Sequence, residues 1–343
     1  MDSLIFLFLF QDGVLSGAIY ALLAVAFVLL FSVTRIIFIA QGDFVAYAGL
    51  TLSALERSQI PGSVWMVLGL GIAAGIREIA RQRRSIHLRR LIVIGSGCFL
   101  LPLIILALCW LGVGKFGSPA RFLLTLAIVV PMGPYIYLIF FKSMAESSIL
   151  NLLIVSVGVH WMMTGLGLLF FGAEGYRTEE ILDISYELGP LLVSGQSILV
   201  LILTALVLLL LYAFFHGSLE GKALRAAAVS SRGAGLVGIS PANAGMTAFL
   251  MAALIGTVSG ILISPITTLY YDSGFLIGLK GFIAAIIGGF GSYLLAVLGA
   301  FSIGIAEAFS SFWASAYKEV IVFGLIIPVL IWRSIFAPHP EEE

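Results

Sequence analysis

SGQSILVLILTALVLLLLYAFF, residues 194–215, followed by HGSLEGKALRAAAVSSRGAGLVGISPANAG, residues 216–245, decides what kind of molecule this is. The first stretch holds no charged side chain and matches the roughly 20 apolar residues that a helix needs to cross a bilayer. The second is polar enough for water. Its centre, Ala223 to Val229 with Lys222 and Arg225, is rich in good helix formers. Gly233, Gly235 and Gly238 then loosen the chain, and Ser240-Pro241 has the form of an N-cap and first turn leading into the next apolar run. A short polar helix between two membrane helices is expected.

Outward from this pair, further apolar windows fall at 14–33, 43–55, 62–76, 91–113, 122–141, 149–171, 245–264, 275–290, 293–311 and 319–336. Across the 343 residues, 61% are apolar and 10% charged, against about a quarter charged in soluble domains. A water-soluble fold is excluded, and the expectation is an all-α polytopic membrane protein forming a single transmembrane domain of about ten helices. The windows 43–55, 62–76 and 275–290 are short and flanked by Gly, Pro or polar residues, which points to tilted, broken or re-entrant pieces. With 18 Lys+Arg against 18 Asp+Glu the net charge is zero, which excludes a basic nucleic-acid-binding face.

Basic residues resist translocation, so their asymmetry orients the chain. Strict alternation places Arg35, Arg77, Arg81, Arg83, Arg84, Arg89, Arg90, Lys142, Lys222, Arg225, Arg232 and Arg333 on the cytoplasmic side. Only Arg57, Lys115, Arg121, Arg177 and Lys318 fall outside. An external N-terminus and a cytoplasmic C-terminus follow. The loop at 216–244 is then cytoplasmic, and the acidic connection 172–193, with Glu174, Glu179, Glu180, Asp183 and Glu187, forms an external cap. Met1-Asp2-Ser3 offers no basic n-region, so a cleaved leader is not expected.

No catalytic constellation is visible. Cys98 and Cys109 would stand about 16 Å apart along a helix, too far for a disulfide. The four histidines are scattered, so no metal or cofactor site is expected. Gly112 to Gly117 matches G-x-G-x-x-G without a preceding strand, and Gly221-Lys222 lacks the first glycine of a phosphate-binding loop. Glycine is abundant instead: Gly13 and Gly17, Gly71 and Gly75, and Gly256 and Gly260 each form a pair four residues apart that lets helices approach closely. Gly288-Gly289-Phe290-Gly291-Ser292 interrupts a helix, as broken backbone does beside a water-filled route. Ionisable residues within spans are costly and flag a function. Lys280 and Glu307 either pair structurally, with each other among the options, or line the route; His160 is an interhelix contact or a transport group; Asp12 and Asp43 flank the first two spans.

Several of these residues carry a resemblance. Gly13-Val14-Leu15-Ser16-Gly17-Ala18-Ile19-Tyr20-Ala21-Leu22, with Gln41-Gly42-Asp43 after it, resembles the opening of the integral permeases of branched-chain amino acid ABC importers. Leu224-Arg225-Ala226 with Leu236-Val237-Gly238-Ile239 is similar to that family's cytoplasmic segment. Gly278-Leu279-Lys280-Gly281-Phe282, Gly288-Gly289-Phe290-Gly291-Ser292 and Gly304-Ile305-Ala306-Glu307-Ala308 are similar to its C-terminal signature. The resemblance covers about 10–55 and 120–336. It implies a type II-like ABC importer permease bundle in a bacterial inner membrane. Such a subunit works with two ABC ATPase subunits, a second permease (homologous or identical) and a periplasmic substrate-binding protein, and needs no ATP site or cofactor of its own.

By the match, Lys222, Leu224, Arg225, Ala226, Leu236, Gly238 and Ile239 form the ATPase-coupling segment. Gln41, Gly42, Asp43, Lys280, Gly288, Gly289, Gly291, Ser292 and Glu307 are expected along the translocation pathway. Branched-chain or other small neutral amino acids are the expected cargo, since a route lined by small and apolar side chains suits a zwitterion. Amides, sugars or nucleosides, or an ion-coupled secondary transporter, are the alternatives. Phe38 and Gln41 stand where the family has Asn and His, and Asp43 where it has Glu. Residues 62–118 carry two apolar windows and an arginine-rich turn, as an inserted helical hairpin would.

Overall fold

The computed structural model describes residues 3–81, 94–112, 115–145, 147–188 and 191–336. Arg83, Arg84, Arg89 and Arg90 of the expected arginine-rich turn lie outside the described residues. Fourteen helices are distinguished here: α1 (Ser3–Thr34), α2 (Asp43–Glu56), α3 (Ser63–Arg81), α4 (Gly95–Gly112), α5 (Ser118–Phe141), α6 (Ile149–Phe171), α7 (Gly195–Gly217), α8 (Leu219–Val229), α9 (Ser231–Leu236), α10 (Pro241–Ile263), α11 (Ser273–Ile287), α12 (Tyr293–Trp313), α13 (Lys318–Gly324) and α14 (Ile326–Phe336). A two-stranded antiparallel hairpin, β1 (Ser185–Leu188) and β2 (Leu191–Ser194), is formed within the acidic connection.

Eight of these helices (α1, α3, α4, α5, α6, α7, α10 and α12) are long and apolar enough to cross a membrane, and α11 is a shorter apolar helix. The window at 43–55 became the 14-residue α2, reached through a 3-10 turn, Ile39–Gly42. Every residue of α2 from Asp43 to Leu55 is buried by neighbouring helices, so it has no lipid-facing side and need not be long. The window at 319–336 is not one helix but two, α13 and α14, separated at Leu325. Asp12 lies inside α1, exposed on its surface, rather than before the span.

Local chemistry explains the boundaries. Helices α6 to α10 and α12 each begin after a serine (Ser148, Ser194, Ser218, Ser230, Ser240 and Ser292) whose hydroxyl accepts the backbone N–H three residues on. Each such cap stabilises its helix by about 1 kcal/mol. Pro131 divides α5, which resumes at Met132–Ile136 and widens into a π turn at Tyr137–Phe141. The proline has no N–H to give and crowds the preceding turn.

Packing rests on the small residues. α1 and α12 run antiparallel with backbones in contact: a Cβ on Gly13 would stand 2.6 Å from Ile305 Cα, and one on Gly17 2.8 Å from Phe301 Cα. Gly304 faces Gly13 and Gly17 in return. Gly256 and Gly260 seat α10 against Gln41, Phe44, Val45 and Ala48, and Gly71 and Gly75 seat α3 against Cys98 and Phe99. α3 and α4 are therefore an antiparallel pair. All three glycine pairs lie at helix contacts, where van der Waals packing must replace the hydrophobic drive that lipid removes.

The bundle has two distinct ends. At one, the connection after α6 packs on the loop after α10: Tyr176 bridges Leu269, the Arg177 guanidinium donates to the Pro265 carbonyl at 2.6 Å, and the Arg57 guanidinium lies 3.8 Å over the Tyr176 ring. At the other end of α7, a rise of about 33 Å away, lie α8 and α9. Gly304→Val is expected to lower the thermal midpoint of the detergent-purified protein by roughly 5 °C or more, because a side chain there meets backbone. Gly158→Ala, where a Cβ meets nothing within 4 Å, serves as the control and should change it little.

Candidate functional site

Three helices converge on one charged group. Besides the α1–α12 contact, a Cβ on Gly281 of α11 would stand 2.5 Å from Leu23 Cβ of α1. α11 and α12 are therefore both held close to α1. Side chains on a helix lean toward its N-terminus, so on the antiparallel α1 and α12 Tyr20 and Glu307 lean toward each other. The Tyr20 hydroxyl donates to Glu307 Oε2 at 2.6 Å. Lys280 Nζ donates to Glu307 Oε1 at 2.5 Å and lies 3.4 Å from Glu319 Oε1 in the first turn of α13. The Lys280 and Glu307 side chains are only 7% and 14% exposed. The pairing of Lys280 with Glu307 was legible in the sequence as one option; Tyr20 and Glu319 were not. Tyr20 belongs to a motif already singled out, yet its partner is 287 positions away, and no local pattern announces such a pairing.

A second polar group surrounds the break before α2. Gly42 packs directly on α11, where a Cβ would stand 2.7 Å from Gly278 Cα. The Gln41 side-chain amide donates to the Ala252 carbonyl at 2.8 Å, and the backbone N–H of Ile39 donates to Ser156 Oγ at 2.6 Å. Asp43 Oδ2 and His160 Nδ1 are 2.8 Å apart, both side chains almost fully buried. The His160 ring also lies 4.9 Å from that of Phe275 on α11. His160 is thus an interhelix contact joining α6 to α2 and α11. Gly42 packs on α11, the helix that carries Lys280, but among the described residues Asp43 pairs with His160 and not with Lys280 or Glu307.

The glycine cluster sits apart from both groups. Gly288 to Gly291 form the turn between α11 and α12, with Gly289 at φ 70° and Phe290 at φ 55°, and Ser292 caps α12. A side chain on Gly288 would run into Ala296. Phe290 packs on Phe31 near the C-terminal end of α1, and Tyr293 stacks on Phe215 near the end of α7. The turn therefore lies at the same end of the bundle as α8 and α9.

Those two helices form a platform. α8 buries Gly221, Leu224 and Ala227 and leaves Lys222 and Arg225 exposed, with Ala226 between. Leu224 thus faces inward and anchors the segment. Gly233 and Gly235, expected to loosen the chain, are instead taken up in α9, which starts at the Ser230 cap; Gly238 lies beyond its end and turns left-handed at φ 88°. Ile239 is half-buried against the bundle, while Leu219, Val229 and Leu236 are 85%, 86% and 91% exposed.

Residues 93–330 match the family model described as branched-chain amino acid transport system / permease component. The match takes in α4 through the first turn of α14. The permease protein BraD of a high-affinity branched-chain amino acid transport system in Pseudomonas aeruginosa is 35% identical over 149 residues, 43% of this chain and 48% of BraD. The corresponding permease protein LivH of Escherichia coli K12 is 29% identical over 244 residues, 68% of this chain and 79% of LivH. LivH of Salmonella typhimurium is 37% identical over 132 residues, 38% of this chain and 43% of that protein. The aligned part of the chain thus spans about half the length of BraD and most of E. coli LivH. The chain belongs to the family of branched-chain amino acid transport system permease components.

Proposed function

We propose that this chain is a permease subunit of an ABC importer that carries branched-chain or other small neutral amino acids across the bacterial inner membrane by alternating access. It works with two ATPase subunits, a second permease and a periplasmic binding protein. The observation that carries this reading is the α8–α9 platform. Three large aliphatic side chains there are almost fully exposed at one end of the bundle, beside Lys222, Arg225 and Arg232. An exposed apolar patch rimmed by charge is the mark of a surface that another protein covers.

The platform is built to transmit force. α8 is held through Gly221, Leu224 and Ala227 and follows α7 after the single residue Ser218, so a push on it moves α7 and its neighbours. The Gly288–Ser292 turn lies within reach, through Phe215 and Tyr293. It joins the two helices that carry Lys280 and Glu307, and serves as the hinge by which they part. The breaks at Gln41-Gly42-Asp43 give α11 a smooth surface to slide on. In this scheme the platform faces the cytosol, the N-terminus lies outside, and no covalent chemistry occurs on this chain.

Two variants test this reading. Arg225→Glu, paired with Leu236→Asp, should lower co-purification of the ATPase by about tenfold, as loss of a docking anchor does, with membrane insertion unchanged; ATPase recovery equal to wild type would refute the docking surface. Glu307→Ala should lower amino-acid uptake in reconstituted vesicles while the subunits still assemble. Loss of assembly would instead assign Glu307 a purely structural role, since removing one partner of a buried pair costs about 3–5 kcal/mol.

A further inference from the structure

The Lys280–Glu307 pair is not sealed in the bundle. It borders a cavity of about 320 Å³ between α1, α11, α12, α13 and the connection after α10. Lys318 and Glu319 line the same space, so two ammonium groups and two carboxylates face it and their charges cancel. A second cavity, of about 530 Å³, touches the other side of Glu307 and extends to Asp12.

We infer that the 320 Å³ cavity binds a zwitterionic amino acid with an apolar side chain, its ammonium on the Glu307 and Glu319 carboxylates and its carboxylate on the Lys280 and Lys318 ammonium groups. The inference rests on the permease reading and deepens it by giving the cargo a place. Three observations support it.

First, the charged groups only partly satisfy one another. Lys280 is close to Glu307, but Glu319 lies 3.4 Å from Lys280 and 3.9 Å from Lys318, and its buried Oε2 has no hydrogen-bond partner among the described residues. A buried acceptor left without a donor is unfavourable, and an incoming ammonium group supplies one.

Second, the rest of the lining has two characters. Leu15, Ile19 and Ile277 offer an apolar wall, and Ser16, Thr267 and Thr268 offer hydroxyls. That division matches a ligand with a charged head and an aliphatic tail. A net anion or cation would bring an uncompensated charge into a lining whose own charges cancel, which is costly at membrane depth.

Third, the size fits: at about 30 Å³ per water, the space is ample for the nine non-hydrogen atoms of leucine. A staple that merely held α1, α11 and α12 together would require the Tyr20, Lys280 and Glu307 contacts. It would not require the void, Lys318 or the unpartnered oxygen of Glu319.

Thr268 is exposed at the cavity wall, while the native Cys98 and Cys109 are buried. Thr268→Cys in the assembled permease–ATPase complex in nanodiscs is labelled with a polar maleimide. Leucine should protect it. Leucinamide, which lacks the carboxylate, and 4-methylpentanoate, which lacks the ammonium, should not. Glu319→Gln, which keeps the Tyr20–Glu307–Lys280 contacts, should raise the half-protecting leucine concentration about tenfold. Labelling unaffected by leucine in a complex that imports leucine would overturn the cavity assignment and leave the permease reading standing. Failure of the complete transporter to import leucine would overturn both.

Discussion

Backbone contact between α1 and two later helices is the constraint from which the rest follows. Gly13, Gly17 and Gly304 remove the side chains that would hold α1 and α12 apart, and Gly281 does the same for α11. In lipid, apolar surface alone does not drive helices together, so these close approaches supply the dispersion contacts that hold the core. Once they form, Tyr20, Lys280 and Glu307 have little choice of partner. A lysine and a glutamate at membrane depth would each be costly alone; brought within 2.5 Å, with a tyrosine on the second carboxylate oxygen, they are tolerated.

The same packing gives the molecule two distinct ends. One carries the connection bridged to the loop after α10 and the cavity that borders the charged cluster. The other carries the α8–α9 platform and the Gly288–Ser292 turn. α11 and α12 run between them, so a displacement at the turn has a direct mechanical path to Lys280 and Glu307. The path is short because α11 has only 15 residues, and it is unobstructed on one side because Gly274 and Gly278 of α11 face Gly42 rather than a bulky side chain.

Much of this architecture was legible in the sequence, and the reasons are physical. Long uncharged runs such as 194–215 leave few structures other than a membrane helix, and Ser240-Pro241 ahead of an apolar run marked a helix start. The polar helix after His216 was legible from alanine content, though Ser230 restarted a helix where glycines were expected to end one. Lys280 and Glu307 stood out because charge is rare in such runs. What escaped were partners and depth. Nothing local ties Tyr20 to Glu307, Asp43 to His160 or Glu319 to Lys280, since these pairs depend on how helices distant in sequence are stacked. The Gly288–Ser292 break was visible, but its position at the platform end depends on the packing of Phe290 on Phe31 of α1 and of Tyr293 on Phe215 of α7. The split of the last window into α13 and α14 also escaped, because hydropathy alone does not distinguish one helix from two short ones.

The central claim is that the α8–α9 platform faces the cytosol and is covered there by a separate ATPase, at the end opposite the cavity. Leu236→Cys, probed with a membrane-impermeant thiol reagent, tests it most directly. The cysteine should react in inverted membrane vesicles stripped of the ATPase, become shielded when the ATPase is restored, and stay unreactive in right-side-out vesicles. Reaction from the outer face, or an equal rate with and without the ATPase, would contradict it.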